Sequence, residues 1–366
     1  MGFNCGIVGL PNVGKSTLFN ALTSTAQAEA ANYPFCTIEP NIGRVAVPDP
    51  RLDVLAKISG SAQVMPTFLE IVDIAGLVRG ASKGEGLGNK FLSHIREVDA
   101  VIEVLRCFED ENISHVEGSV DPLRDAETIE TELLLADLDS LERRIEPLRK
   151  RATGGDRQLK AEVAVMERAL TALQDGKPAR SVVVSDEERP IFDQLQLITA
   201  KPVLYACNVD EDSAAEGNAH SQRVAEKAEA EGAGVVIVSA AIEAELAQLG
   251  SAAERAEFLE GLGLSEAGLD RLIRAGYSLL DLITFLTTGP KESRAWTVRR
   301  GASAPQAAGV IHTDFERGFI AAEVIAYDDF VDCGGEQAAK DAGKMRQEGR
   351  DYVVQDGDVI LFRFNV

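Results

Sequence analysis

The stretch Gly9-Leu10-Pro11-Asn12-Val13-Gly14-Lys15-Ser16 decides how the rest of the chain is read. It has the spacing G-x-x-x-x-G-K-[ST] of a phosphate-binding loop. The glycines let backbone N–H groups turn inward around phosphate oxygens. Lys15 brings a positive charge to the β- and γ-phosphates, and Ser16 offers a hydroxyl to Mg²⁺. The flanks supply the context such a loop needs. Phe3-Asn4-Cys5-Gly6-Ile7-Val8 reads as a short buried strand, and Lys15-Ser16-Thr17-Leu18-Phe19-Asn20-Ala21-Leu22 reads as a helix. Asn12, Val13, Gly14, Lys15, Ser16 and Thr17 are therefore expected to hold a nucleotide.

Downstream, Asp73-Ile74-Ala75-Gly76 closes an apolar run at 68–72. A carboxylate at the tip of a buried strand beside a P-loop suits the Mg²⁺ shell, and the N–H of Gly76 is placed to meet the γ-phosphate. The glycine-rich segment 76–88 then reads as a switch that orders on the γ-phosphate and relaxes after hydrolysis. Thr37 lies in the loop between the first helix and the second strand. It is the expected second protein ligand to Mg²⁺, alongside Ser16 and Asp73. Many switch GTPases place a Gln just after D-x-x-G to orient the attacking water. Here that position is Leu77, which cannot form a hydrogen bond, so another group must act. His115, one of four His, falls in a polar loop after the strand at 100–107, on the phosphate side of such a sheet. It is the candidate for positioning the water.

The base-reading loop is Asn208-Val209-Asp210-Glu211, where a guanine-specific protein shows N-K-x-D. An Asp at the last position accepts from guanine N1–H and its 2-amine, whereas adenine presents an acceptor at N1 and a donor at N6. Glu211 in place of Asp, and Val209 in place of Lys, disturb guanine recognition. Asn208 retains the geometry for adenine N6 and N7. The loop points to ATP. Ser239 and Ala240, after the next strand, form the second base-contacting loop.

Strand patterns at 43–47, 67–73, 100–107, 202–208 and 234–239, separated mostly by helical or loop segments, describe an open α/β sheet. The interval 125–175 breaks that rhythm. Leu134, Leu138, Leu141, Ile145 and Leu148 form a heptad seam, and Leu159, Val163, Met166, Leu170 and Leu173 repeat it after Gly154-Gly155. This is the pattern of an antiparallel helical hairpin. Residues 143–160 hold seven basic residues against two acidic ones. A solvated helical face accounts for such a run, and so does a contact for a phosphate backbone or an acidic partner. From about residue 285, Pro and Gly punctuate strand-like runs at 295–298, 319–325 and 359–364, which reads as a separate small domain.

The chain has 366 residues, 45% hydrophobic and 26% charged, with 37 Lys+Arg against 59 Asp+Glu and a net charge of −22. That is an ordinary globular composition, and it argues against whole-surface nucleic-acid binding. Five Cys without regular spacing give no disulfide framework and no zinc pattern, and fit a reducing, cytoplasmic setting. Four of them (Cys5, Cys36, Cys107, Cys207) lie beside nucleotide elements. They read as small core residues or, for Cys36 and Cys207, as sites where oxidation would disturb nucleotide binding. No apolar run approaches the roughly 18 residues that span a bilayer.

Taken together, these stretches resemble the YchF subfamily of Obg-related P-loop ATPases. The marks are the P-loop with Thr17, Phe35-Cys36-Thr37-Ile38-Glu39-Pro40, Asp73-Ile74-Ala75-Gly76-Leu77 with its glycine-rich continuation, and Asn208-x-x-Glu211. Arg294-Ala295-Trp296-Thr297 and the closing Phe364-Asn365-Val366 add to them. The resemblance implies a Ras-like nucleotide-binding domain over 1–124 and 201–284. An α-helical coiled-coil domain over 125–200 interrupts it, and a C-terminal TGS domain of β-grasp type follows over 285–366. It implies ATP preferred over GTP, Leu77 as the hydrophobic substitute for Gln, and hydrolysis through His115. Mg²⁺ is the implied cofactor, with K⁺ beside Asn12 as a further expectation. Ribosome association and a regulatory part in stress, including redox sensitivity, are also implied. RNA would be met through the basic hairpin tip and the TGS domain. A P-loop ATPase of this type needs no partner subunit to bind nucleotide, so a monomer is expected. Two other readings stand beside the slow ATPase switch: a translation or ribosome-assembly GTPase, and a nucleotide-gated binding protein whose turnover is incidental.

Overall fold

The computed structural model of the chain describes residues 3–30, 41–74, 87–115, 118–152 and 156–365. Thr37, Cys36, Gly76, Leu77, most of the glycine-rich segment that follows, and Gly154-Gly155 lie outside the described residues.

The apolar runs become the strands of a sheet. β1 (Asn4–Val8) leads through the P-loop into α1 (Lys15–Ala30). β2 (Ile42–Ala46) is followed by α2 (Pro50–Ser59) and the short β3 (Gln63–Met65), then by β4 (Phe68–Asp73). α3 (Leu87–Glu97) precedes β5 (Ala100–Arg106). After the helical interval come β6 (Val203–Asn208), α7 (Ala219–Glu231) and β7 (Gly234–Val238). α8 (Ala240–Leu246), α9 (Ala252–Gly261) and α10 (Gly268–Leu279) complete this part. The strands lie in the order β2-β4-β1-β5-β6-β7. All neighbours are parallel except β2, which runs antiparallel to β4. β5 is buried along its whole length, as a central parallel strand covered on both faces should be. Because β1, β4, β5, β6 and β7 share a direction, their carboxyl ends gather on one edge, where open α/β sheets bind ligands.

The two heptad seams form α4 (Pro122–Ala152) and α5 (Arg157–Gln174), followed by the short α6 (Arg189–Gln194). Asp156 caps α5 by accepting from the N–H groups of Gln158 and Leu159. Leu141 and Ile145 of α4 pack with Val165, Met166, Leu170 and Leu173 of α5, and Phe192 closes the cluster. α4 is one helix with two duties. Its first turns contribute Ile129, Leu133 and Ala136 to the core of the sheet, while its far half belongs to the hairpin. The tip charges are partly paired: Arg143 with Asp139, and Arg149 with both Glu146 and Glu167. Arg151, Arg157 and Lys160 are exposed.

A second sheet follows: β8 (Leu282–Thr288), β9 (Glu292–Arg299), α11 (Ala304–Ile311), α12 (Thr313–Arg317), β10 (Phe319–Ala326), α13 (Tyr327–Cys333), α14 (Glu336–Asp341), β11 (Arg346–Glu348) and β12 (Asp358–Phe364). Its order is β11-β10-β12-β8-β9-β3. Two features depart from the linear expectation. The boundary expected after residue 284 falls inside β8. The edge strand β3 comes from the first part of the chain, since Gln63, Val64 and Met65 pair in parallel with Glu292, Ser293 and Arg294. Leu52 and Leu55 of α2 are buried with Leu286, Ala295, Ile325 and Phe330. Residues 50–65 thus fold as part of the C-terminal sheet. Three residues of β3 are too few to carry a readable alternation, which is why the sequence shows no strand there.

Candidate nucleotide site

At the carboxyl edge of the first sheet lies a cleft of about 990 Å³, lined by P-loop residues on one side and by the loops after β5 and β6 on the other. The P-loop takes a shape that needs its glycines. Gly14 has φ of 91°, and a Cβ there would fall 2.2 Å from Asn208 Nδ2. Asn12 also has positive φ, at 64°, a conformation Asn tolerates better than most residues. Its side chain donates to the carbonyl of Ser114 at 3.1 Å, tying the P-loop to the loop after β5. Val13 is buried, while Ser16 and Thr17 are exposed at the start of α1. The Lys15 ammonium forms an ion pair with the Asp73 carboxylate, so β1's loop and β4's tip converge as the two motifs require.

Asn208 has a structural task besides the one its sequence suggests. Its Nδ2 donates to the carbonyl of Val13 at 2.9 Å, and its Oδ1 accepts from the N–H of Ala240 at 2.9 Å. The residue is 3% exposed, and each amide atom keeps one further proton or lone pair beyond these bonds. Asn208 is the tie that fixes the P-loop to the start of α8. Val209 is buried, with its N–H bonded to Val238. Glu211 is exposed at the loop, and Asp210 caps the turn behind it by accepting from the N–H of Ser213. Ala240 lines the cleft floor, whereas Ser239 is buried with no hydrogen-bond partner for its hydroxyl among the described residues.

The loop after β5 is held by a residue that sequence reasoning passed over. Arg106 is 1% exposed. Its guanidinium donates to the carbonyls of Phe108, Asp110 and Ile113 at 3.1, 3.2 and 3.0 Å, and it lies 4.7 Å from the Phe108 ring centroid. Five donors in a rigid fork suit that work. An arginine ending a strand that is apolar apart from Glu103 was the available signal. His115, at the end of this loop, bonds through Nε2 to Asp125 Oδ2 at 2.9 Å. Asp125 lies in the first turn of α4. Burial pushes its carboxyl above the usual carboxylate range, opposed by the hydrogen bond from His115.

Cys207 is fully buried, and its contact with Cys107 together with burial holds the Cys107 thiol well above its ordinary pKa. Both sulfurs are fully buried, which agrees with the reading of Cys207 as a small core residue.

The comparisons with known proteins fit this architecture. Residues 4–137 match the family described as "50S ribosome-binding GTPase", and residues 282–365 match the YchF-GTPase C-terminal family, described as a protein of unknown function. The "Ribosome-binding ATPase YchF" of Haemophilus influenzae is 61% identical over 366 residues, covering both chains completely. This chain belongs to the YchF family. The YchF relative from Bacillus subtilis is 54% identical over the full length of both chains. The "Obg-like ATPase 1" of Rattus norvegicus is 49% identical over 98% of this chain and 92% of its own. The solved Schizosaccharomyces pombe YchF GTPase superposes with a TM-score of 0.89, at 40% identity, over 99% of this chain and 98% of the other. The YchF fold therefore extends over all three parts described above, including the β3 edge strand.

Proposed function

We propose that this chain is an Mg²⁺-dependent ATPase that works as a nucleotide-operated switch at the ribosome, taking ATP in preference to GTP. The observation that carries the reading is the Lys15–Asp73 pair at a P-loop cleft whose base loop has Val209 and Glu211 at the positions where a guanine reader has Lys and Asp. Phosphates entering the P-loop compete for Lys15, which leaves the Asp73 carboxylate free. Asp73 and Ser16 carry the hard oxygen donors that Mg²⁺ takes, with Thr37 as the further ligand expected from the sequence. Bound there, the ion neutralises charge on the β- and γ-oxygens. The N–H groups at the start of α1 would meet the phosphates, with that of Gly76 as the further contact expected from the sequence. Val209, Ala240 and Ala241 give the base a mainly apolar seat beside Glu211.

His115 is the group we assign to orienting the attacking water, because Leu77 has no polar atom to do so. Its main chain lies beside the P-loop through the Asn12–Ser114 bond. The ribosome as partner rests on the names of the relatives. Arg151, Arg157 and Lys160 at the hairpin tip supply charges for an RNA backbone, and the C-terminal sheet, read as a TGS domain, a second contact. No helix among the described residues is long and apolar enough to cross a membrane, and the proposed setting is the cytoplasm, with the chain acting as a monomer.

Steady-state ATP turnover of three proteins tests the assignment. Lys15→Ala abolishes ATP binding and turnover together. His115→Ala keeps ATP binding but loses roughly a hundredfold in kcat, the usual contribution of a positioned acid–base group. A His115→Ala protein that hydrolyses ATP at the wild-type rate would remove His115 from the reaction, and one that loses turnover but keeps its biological activity would favour the binding-only reading.

A further inference from the structure

His115 belongs to a loop that forms one wall of the nucleotide cleft. Phe108, Glu109, Asp110 and Ile113 all line the cleft. The carbonyl of Ser114 is already joined to the P-loop by Asn12 at 3.1 Å. The His115 imidazole, by contrast, is not among the residues lining the cleft and is 5% exposed. Its Nε2 meets Asp125 Oδ2 at 2.9 Å, and the Asp125 side chain is 1% exposed. The main chain is therefore at the phosphate end while the ring is turned towards α4. A water-orienting group must reach hydrogen-bond distance of the water it orients.

We propose that Asp125 is a positioning residue that latches His115 clear of the cleft, and that hydrolysis requires this bond to open. The inference rests on the assignment of His115 to the attacking water. Opening needs a side-chain rotation, because the backbone at Ser114 is already in place. The latch is well made for a bond that must break. Asp125 Oδ1 has no hydrogen-bond partner among the described residues, and the Arg124 guanidinium lies 3.6 Å from it. A carboxylate satisfied at one oxygen is held less firmly than one satisfied at both. The latch also sits on an element that is not part of the switch loops. Asp125 is in the first turn of the 31-residue α4, whose other end is the basic hairpin tip. A displacement of that helix along its axis or about it moves the carboxylate relative to the β5 loop. The rate-setting geometry of His115 is thereby referred to the helical insertion as well as to the nucleotide.

Asp125→Asn tests this in the full-length chain, since it keeps the side-chain shape and removes the charge from the bond. Single-turnover hydrolysis at saturating Mg·ATP is expected to rise by roughly threefold to tenfold, as the charge-assisted bond becomes an ordinary one. The rise should vanish in the Asp125→Asn/His115→Ala double variant. Modification of His115 by diethyl pyrocarbonate, mapped by peptide mass, is expected to accelerate in Asp125→Asn, a readout that hydrolysis does not influence. A fall of Asp125→Asn to the rate of His115→Ala would overturn the proposal by making Asp125 a support for the active ring orientation. Unchanged modification of His115 would overturn it equally. Wild-type turnover by His115→Ala is a distinct result, which removes the assignment of His115 itself.

Discussion

Arg106 is the largest side chain buried to within 2% exposure among the described residues, and it holds no carboxylate. Three carbonyls of the following loop receive its protons instead, so the residue shapes one wall of the cleft without lining it. Arg106→Ala leaves those part-buried carbonyls without their donor and removes a buried side chain, and is expected to lower the unfolding free energy by about 2 kcal/mol. ATP binding should weaken with it as the Phe108 wall loses its shape. Arg106→Lys should recover little of either, because an ammonium reaches from one point where the guanidinium reaches from three. Urea unfolding midpoints together with ATP titrations check this; a stable Arg106→Ala protein that binds ATP normally would show the loop to be held by other contacts. The P-loop and its convergence with Asp73 were legible in the sequence because the motif's spacing is imposed by phosphate chemistry. Arg106 and the tying role of Asn208 were not, because a buried arginine or amide is defined by partners that are distant in the chain or carry no side-chain signature.

At the scale of elements, α8 and α10 are joined by a buried carboxylate. Glu243 of α8 accepts from the N–H of Gly268 at 2.7 Å, at the start of α10. A Cβ on Gly268 would lie 3.0 Å from that oxygen and from Val238, so the close approach depends on glycine. Burial pushes the Glu243 carboxyl from the ordinary 4.5 up to about 7, although the N–H groups of Gly268 and Leu269 oppose the shift. Between these two values the folded chain holds a proton that the unfolded chain has released. The contribution of Glu243 to stability is therefore full below about pH 4.5 and is lost as pH rises towards 7. Glu243→Gln keeps the acceptor and removes the titration. Measured by urea unfolding at pH 5 and pH 8, its stability should change less across that interval than the wild type's, by about 3 kcal/mol. Parallel profiles would show the carboxylate to be ionised in the folded chain throughout. The heptad seams of α4 and α5 were readable because a long, strongly periodic helix pair repeats its own signal. α2 and β3 were not, because two short elements inherit their apolar faces from a sheet that is completed more than two hundred residues later.

In the whole molecule the parts are interlocked. Residues 50–65 leave the first sheet to become the edge of the second, and Arg51 pairs with Asp356 at 2.7 Å while Ser61 bonds Gly289 and Ser293. Tyr277 of α10 reaches Thr284 and Thr297 of the second sheet. The two sheets thus share side chains rather than a linker, and α4 runs from the first sheet to the hairpin tip without interruption. The central claim is that this frame presents a P-loop cleft selecting ATP. Calorimetric titration of the purified full-length chain with ATP and with GTP, both with Mg²⁺, tests it most directly. ATP is expected to bind at least ten times more tightly than GTP, a difference of about 1.4 kcal/mol. Equal or tighter binding of GTP would contradict it and give the lead to a guanine-nucleotide switch.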